Sequence, residues 1–385
     1  MIKSIPYGNH YFDNQDKKEL VKSLNLEKIS SGPNVEIFEK KIKKYLKTKY
    51  VLTTSSGTSA LDLAFRALEI KKGDIVLMPA VNFIAAFNTA SLHNAKIYLV
   101  DVDKISGQMT PEIVSEFIQR KKIKKIKCLV TMYLGGSPEN IEKFYQLKKK
   151  YNFLILEDAC HAFGSSFEFK NKAYKVGSNI NSDICAFSFH PVKIIATGEG
   201  GCITTRNKKI YQKAVILKNH GIQRTKFHWD YDVKQNSHNY RLSDINCSLG
   251  ISQIKKIDKF LKTRNKIANF YNKNLDNYEP YIKLPKYNVG NYNSFHLYII
   301  SLNFDLMKKN KNHFFKYMLK KGIIFQYHYK PIYKYSLFKG SKKLTNSEYY
   351  FKNAISVPIY YNLNFLNQKK IMKAIIDYIE IFKIK

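Results

Sequence analysis

The strongest constraint on how this chain can fold is an alternation between residues 49 and 205, where short continuous apolar runs are separated by amphipathic stretches. Lys49-Tyr50-Val51-Leu52-Thr53, Ile75-Val76-Leu77-Met78, Ile97-Tyr98-Leu99-Val100, Cys128-Leu129-Val130-Thr131-Met132 and Phe153-Leu154-Ile155-Leu156 read as strands. Between them Leu61, Phe65 and Leu68 recur at helical spacing, and residues 138–150 form the clearest helical pattern. Strands without polar alternation are buried on both faces, and helices between successive strands supply the crossovers that parallel pairing needs. The pattern predicts an α/β fold, a mainly parallel sheet covered on both faces. Residues 183–189 and 202–205 add two strands around a glycine-rich turn.

After about residue 250 the texture changes. Residues 251–274 read as one long helix, followed by a Pro- and Asn-rich stretch to about 294. Residues 295–301 and 323–328 read as strands with a helix between them, and a last helix aligns Ile371, Ile375, Ile379 and Phe382 on one face. The expectation is a large domain over residues 1–250 and a smaller α+β domain over 251–385, as the chain length favours.

Composition removes several function classes. With 44% hydrophobic and 14% aromatic residues the chain is neither disordered nor fibrous. Its five cysteines are scattered with no C-x-x-C pair, which argues against a disulfide framework and a zinc site and predicts no metal. The N-terminus lacks a secretory apolar core, and the most apolar long stretch, Ile75 to Leu92, contains Pro79, Asn82 and Asn88, which lipid would leave unsatisfied. The chain reads as soluble and cytoplasmic, without a membrane partner. A formal charge of +35 invites nucleic acid, yet only six of the 65 basic residues are arginine and the lysines run along the whole chain. Solvated surface explains that distribution better than a nucleic-acid partner.

Ligands of open parallel sheets bind beyond the carboxyl ends of the strands, and three sequence groups fall there. In Thr54-Ser55-Ser56-Gly57-Thr58-Ser59-Ala60, hydroxyls and a glycine precede a helix whose N-terminus can hold a phosphate. In Leu156-Glu157-Asp158-Ala159-Cys160-His161-Ala162, two acids end an apolar strand where burial penalises charge, so at least one needs a cationic partner. In Phe187-Ser188-Phe189-His190-Pro191-Val192-Lys193, closing on Thr197-Gly198-Glu199-Gly200-Gly201, a lysine lies between a buried strand and glycine-rich backbone. Desolvation there would favour the neutral amine that forms a Schiff base. Each group alone has a bland reading: a capped helix, a strand end, a surface lysine. Together they supply an anion anchor, a partner for a pyridinium nitrogen and a carbonyl trap, the three needs of pyridoxal 5'-phosphate.

At these residues the sequence resembles the sugar aminotransferase family often called DegT/DnrJ/EryC1, within fold type I of the pyridoxal phosphate enzymes. The likeness runs from Ile5-Pro6-Tyr7 to the last helix and includes Asn219-His220-Gly221-Ile222, Asn239-Tyr240-Arg241-Leu242-Ser243-Asp244 and residues 326–333. It implies that Lys193 holds the cofactor, Asp158 pairs with the pyridinium nitrogen and His161 sits beside the ring in support of Asp158. Gly57, Thr58 and Ser188 would bind the phosphate, Phe83 would stack on the ring, and Asn239 would reach the phosphate of the neighbouring subunit in a homodimer. Tyr7, Ser30, His328 and Tyr329 fall where the family contacts its sugar nucleotide. The packing alternatives stay open: Phe83 as core, His328 and Tyr329 as strand packing, Cys160 as inert filling. The implied reaction is transfer of an amino group from L-glutamate to C4 of a 4-keto-6-deoxy nucleotide sugar, UDP-linked as in the pseudaminic acid branch. The alternatives are a C3 or a dTDP- or GDP-linked sugar, or a non-catalytic cofactor-binding regulator. Lys193 argues against the related dehydratases, which carry histidine at that position.

Overall fold

The computed structural model of the chain describes residues 4–227, 229–338 and 343–383. Five apolar runs become strands β1 (Tyr50–Thr54), β2 (Ile75–Pro79), β3 (Lys96–Val100), β4 (Cys128–Met132) and β5 (Leu154–Asp158). A hairpin of β6 (Ser166–Phe169) and β7 (Lys172–Lys175) follows, then β8 (Ile184–Ser188) and β9 (Gly201–Thr205). The central sheet has the order β1-β9-β8-β5-β4-β2-β3. Its neighbours from β8 to β3 pair in parallel, whereas β9 runs antiparallel to both β8 and β1. The register sets Asp158 beside Ala186 and Thr54 beside Gly201, so the ends of β5, β8 and β1 form one rim.

Apolar clusters fill both faces of this sheet. One holds Leu77, Leu129, Ile155 and Phe187, the other Val76, Val130, Leu156 and Ala186, the alternation expected of strands buried on two sides. A third cluster lies around a three-stranded antiparallel sheet of β12 (Ile282–Lys283), β13 (Tyr298–Leu302) and β14 (Ala354–Val357), after the short hairpin of β10 (Ile222–Arg224) and β11 (Tyr231–Val233). Its members include Tyr271, Phe314, Ile375 and, from the other end of the chain, Ile5. The helix Ile257–Leu275 serves two cores: Phe260 and Leu261 pack with the large sheet, Ile267 and Tyr271 with the small one.

Two expectations are corrected. The long helix over 251–274 is two helices, Asp244–Ile254 and Ile257–Leu275, broken at Lys255 and Lys256. Lys256 turns its amine onto Asp13 Oδ1 (2.9 Å) and Asp16 Oδ2 (2.6 Å), an anchor far away in sequence. Residues 323–328 make only two isolated bridges, Ile323 to Ile5 and Gln326 to Ser356, each a single residue of pairing with a different segment. Among the described residues no helix is long and apolar enough to cross a membrane, and no cluster of metal-ligating side chains is present.

Candidate active site

The strand ends open into a chamber of about 390 Å³. A larger groove of about 1000 Å³ runs beside edge strand β3 but shares no lining residue with the chamber. Of the residues singled out in the sequence, Tyr7, Gly57, Thr58, Phe83, Asp158, His161, Ser188, Lys193, His328 and Tyr329 all line the smaller space. Ser30 and Asn239 do not. Ser30 is exposed and bridges Ser243; Asn239 is exposed and bridges Asn219. Asn239 precedes Tyr240, whose carbonyl accepts the Ser55 N–H at 2.8 Å, so it stands on the rim near the hydroxyl-rich loop.

That loop caps the helix Gly57–Ala67. Ser56 Oγ accepts the Ser59 N–H at 3.0 Å, and the Ser56 carbonyl accepts the Ala60 N–H at 3.0 Å. The N–H groups of Gly57 and Thr58 in the first turn have no intrahelical acceptor and stand at the positive end of the helix dipole. Gly57 is needed for closeness rather than for backbone freedom: a Cβ there would lie 2.7 Å from Ser188 Cβ.

Asp158 ends β5 and is 3% exposed. Its oxygens receive the Asn82 Nδ2–H and the Cys160 N–H, each at 3.3 Å, with the Cys160 thiol as a further weak donor. Burial pushes its carboxyl above the ordinary aspartate value, against the lowering effects of Cys160, Asn82 and Lys193. Glu157 points to the opposite face, where the Tyr133 and Tyr145 hydroxyls donate to it at 2.9 and 3.1 Å. Burial raises its pKa too, and those neutral donors take the place of a cation. Of the two strand-end acids, Asp158 is thus the one left facing the chamber with weak partners.

Lys193 is the single lysine or arginine lining the chamber among the described residues. Burial pushes its amine below the usual lysine range, with Cys160 and Asp158 pulling the other way. His161 does not bond Asp158. Its Nδ1 accepts the Gly135 N–H at 3.3 Å, so Nε2 carries the proton and donates to Tyr329 Oη at 2.9 Å. Tyr329 therefore keeps its own hydroxyl proton free to donate. His328 Nδ1 meets Ser356 Oγ at 2.8 Å; burial, with Lys193 as the smaller cause, pushes its pKa down to about 3. The ring of Phe83 is 52% exposed and lies 5.7 Å from the Tyr329 ring, so it faces the chamber and is not core. Cys160 also lines the space.

The sequence reading missed His296 and Asn82. His296 is buried, with Nε2 3.4 Å from Lys193 Nζ and its ring 4.3 Å from that of His161. It arrives from 135 residues beyond His161 in sequence, through a segment tied down by Ser294 Oγ, which donates to the His161 carbonyl at 2.9 Å. No local pattern marks it. Asn82 lies just past the end of β2 at Pro79, a position where the strand-end rule would have found it.

The model of the DegT/DnrJ/EryC1/StrS aminotransferase family matches residues 10–376. The chain belongs to that family. It is 35% identical over 381 residues, 98% of each chain, to the UDP-4-amino-4,6-dideoxy-N-acetyl-beta-L-altrosamine transaminase of Campylobacter jejuni subsp. jejuni serotype O:23/36 (strain 81-176). It is 28% identical over 379 residues to the GDP-perosamine synthase of Vibrio cholerae, covering 97% of this chain and 99% of the relative. Among solved structures, Helicobacter pylori PseC, an aminotransferase of pseudaminic acid biosynthesis, superposes with a TM-score of 0.90 at 28% identity, covering 99% of this chain and 100% of PseC. The fold is accordingly fold type I of the pyridoxal phosphate enzymes, and aminotransferases of the DegT/DnrJ/EryC1/StrS family depend on that cofactor. The chamber fits it: a buried carboxylate with weak partners, a helix end that a single Cβ would fill, an aromatic face and one desolvated amine.

Proposed function

We propose that this aminotransferase moves the amino group of L-glutamate to C4 of a 4-keto-6-deoxy sugar carried on UDP, in a pseudaminic acid-type pathway of the cytoplasm. The observation that carries the reading is Lys193 facing Asp158 in one chamber of a chain that matches the Campylobacter transaminase from end to end. Bound pyridoxal phosphate supplies an electrophilic carbon and a conjugated electron sink.

The residues of the chain do the rest. The N–H groups of Gly57 and Thr58 and the Ser188 hydroxyl bind the phosphate as dipoles rather than charges. Asp158 would hold the cofactor's ring nitrogen protonated, and Phe83 would supply an aromatic face for its ring. Lys193 Nζ would hold the cofactor through its neutral amine and, when freed by the incoming amino donor, would carry a proton between the substrate carbon and the cofactor in each half-reaction. Tyr329, fixed by His161, donates its O–H toward the substrate, while Tyr7 and His328 line the sugar side. Asn239 and Ser30, which lie outside the chamber of their own subunit, complete the chamber of a second subunit in a homodimer.

The test is a panel of UDP-, dTDP- and GDP-linked 3-keto and 4-keto sugars with glutamate, the product's stereochemistry being read by NMR. Selective amination of the UDP-linked 4-keto sugar is expected, and preference for another nucleotide or for C3 overturns the assignment. Lys193→Ala should abolish turnover, and borohydride reduction of the wild type should fix the cofactor on the Lys193 peptide. Cofactor on a different lysine defeats the mechanism.

A further inference from the structure

His296 carries an arrangement that the mechanism above does not use. Its Nε2 lies 3.4 Å from Lys193 Nζ, at the outer edge of hydrogen-bond range, while its Nδ1 is buried and meets no hydrogen-bond partner among the described residues. We propose that His296 is a positioning residue whose Nε2–H donates to the lone pair of Lys193, so that this histidine holds the lysine in its neutral, nucleophilic form. The proposal rests on the reading of Lys193 as the cofactor lysine.

The argument is one of tautomers. Two pairings satisfy the Nε2 to Nζ contact. In one, a lysine ammonium donates to a bare Nε2, which places the ring proton on Nδ1. In the other, Nε2 carries the proton and the amine accepts, leaving Nδ1 as a bare lone pair. The first strands a buried N–H with no acceptor, the rarer and costlier fault in folded proteins; the second strands only a weak acceptor. The unpartnered Nδ1 therefore selects the second pairing, which requires a neutral amine.

The groups around the pair divide in their effect. Asp158 and Cys160 favour the ammonium by charge. His161 and His328 face His296 as neutral rings, and burial pushes His296 itself well below the usual histidine value. Arg264 approaches from the helix behind, donating to the His296 carbonyl at 3.4 Å and to the Phe295 and Ile359 carbonyls at 3.1 and 3.0 Å. Its guanidinium is buried, and among the described residues it has no carboxylate partner, so it opposes any second cation nearby. Burial of Lys193 opposes the pull of Cys160 and Asp158, and the proposed His296 bond acts in the same direction as burial.

Competitive acylation of the full-length protein with acetic anhydride, quantified at the Lys193 peptide across neutral to alkaline pH, reads the neutral fraction of this amine. It is run on cofactor-free protein and on protein loaded with pyridoxamine phosphate, where Lys193 is a free amine. His296→Phe removes the donor and should move the Lys193 labelling midpoint upward, with about fivefold less labelling at neutral pH for the loss of one hydrogen bond. His296→Gln keeps an N–H donor and should restore most of the wild-type rate. An unchanged or lowered midpoint in His296→Phe overturns the proposal. Should that variant fail to fold, the ¹⁵N-histidine NMR spectrum of the wild type decides, because an unprotonated Nδ1 at His296 is required and a protonated one refutes it. Borohydride mapping separates the two readings: cofactor on Lys193 with an unmoved midpoint defeats the role of His296 alone.

Discussion

Asp158→Asn should make the cofactor-free protein more stable and the cofactor weaker, two effects of opposite sign from one atom change. Without cofactor the carboxylate is buried and holds two neutral hydrogen bonds at 3.3 Å. Each such bond contributes about 1 kcal/mol net, whereas a buried charge without a close partner costs several kcal/mol. Replacing the charge by an isosteric amide should therefore gain about 1–2 kcal/mol. With an unfolding entropy of roughly 2.1 cal/mol/K per residue, a chain this long rises by about 1 °C per kcal/mol, so a Tm increase of about 1–3 °C is expected. The pH dependence has a definite sign. Burial raises the Asp158 pKa in the folded state, so the wild type is favoured at low pH and loses that stability as pH climbs through the raised value. The advantage of Asp158→Asn should grow with pH and then level off. Bound cofactor should reverse the comparison, because the proposed charge-assisted bond to the ring nitrogen, worth about 1.5–3 kcal/mol, would be lost. Affinity should fall roughly ten- to hundred-fold. Scanning calorimetry with and without saturating pyridoxal phosphate measures both. A lower Tm for the cofactor-free variant at neutral pH would show that Asp158 is satisfied by its own neighbours and is not reserved for a cation.

Gly57→Ala should weaken pyridoxal phosphate at least tenfold in a fluorescence titration. Its Cβ would meet Ser188 Cβ at 2.7 Å, and overpacking of about 1–3 kcal/mol pushes the helix end off the phosphate. Wild-type affinity in Gly57→Ala would refute the steric account. Tyr145→Phe removes one of the two tyrosine hydroxyls that donate to Glu157 and should cost about 1–3 kcal/mol in denaturant unfolding, with kcat unchanged because Glu157 faces away from the chamber. His328, held down to about pKa 3 by burial, is neutral in the folded state but protonates below about pH 6.5 in the unfolded one. Tm should therefore fall as pH drops below that value, and His328→Gln should flatten the fall.

The central sheet was legible because most of its strands are buried on both faces, so hydrophobicity alone outlines them. The parts that escaped depend on partners distant in sequence. Lys255 and Lys256 belong to a helical pattern that continues past them, and the break there, where Lys256 bonds Asp13 and Asp16, depends on a segment distant in sequence. Residues 323–328 have the apolar content of a strand but find Ile5 and Ser356 only as single bridges. Within the chamber, Lys193, Asp158 and Gly57 could be read because each lies at or just past the carboxyl end of a central-sheet strand. His296 precedes an antiparallel strand of the other sheet and carries no motif; its role depends on a segment folding back over His161.

The charge of the molecule and the charge of its chamber are separate matters. The chain carries 65 basic residues, yet among the described residues only Lys193 brings a lysine or arginine side chain to the chamber wall. Four histidines line it, and burial keeps three of them, His161, His296 and His328, neutral. A phosphate held by lysines would place further cations against an amine that has to lose its proton and then regain one during the cycle. On the proposed reading, a phosphate held by helix N–H groups and a hydroxyl would leave Lys193 the one strong base in the chamber. Its protonation then answers to Asp158 on one side and His296 on the other. The surface lysines contribute at long range, raising the encounter rate with anionic sugar nucleotides in a way that salt should suppress. Raising ionic strength should therefore lower kcat/KM through the encounter while leaving kcat in place. A kcat that fell in parallel would mean that screened surface charge reaches Lys193 after all.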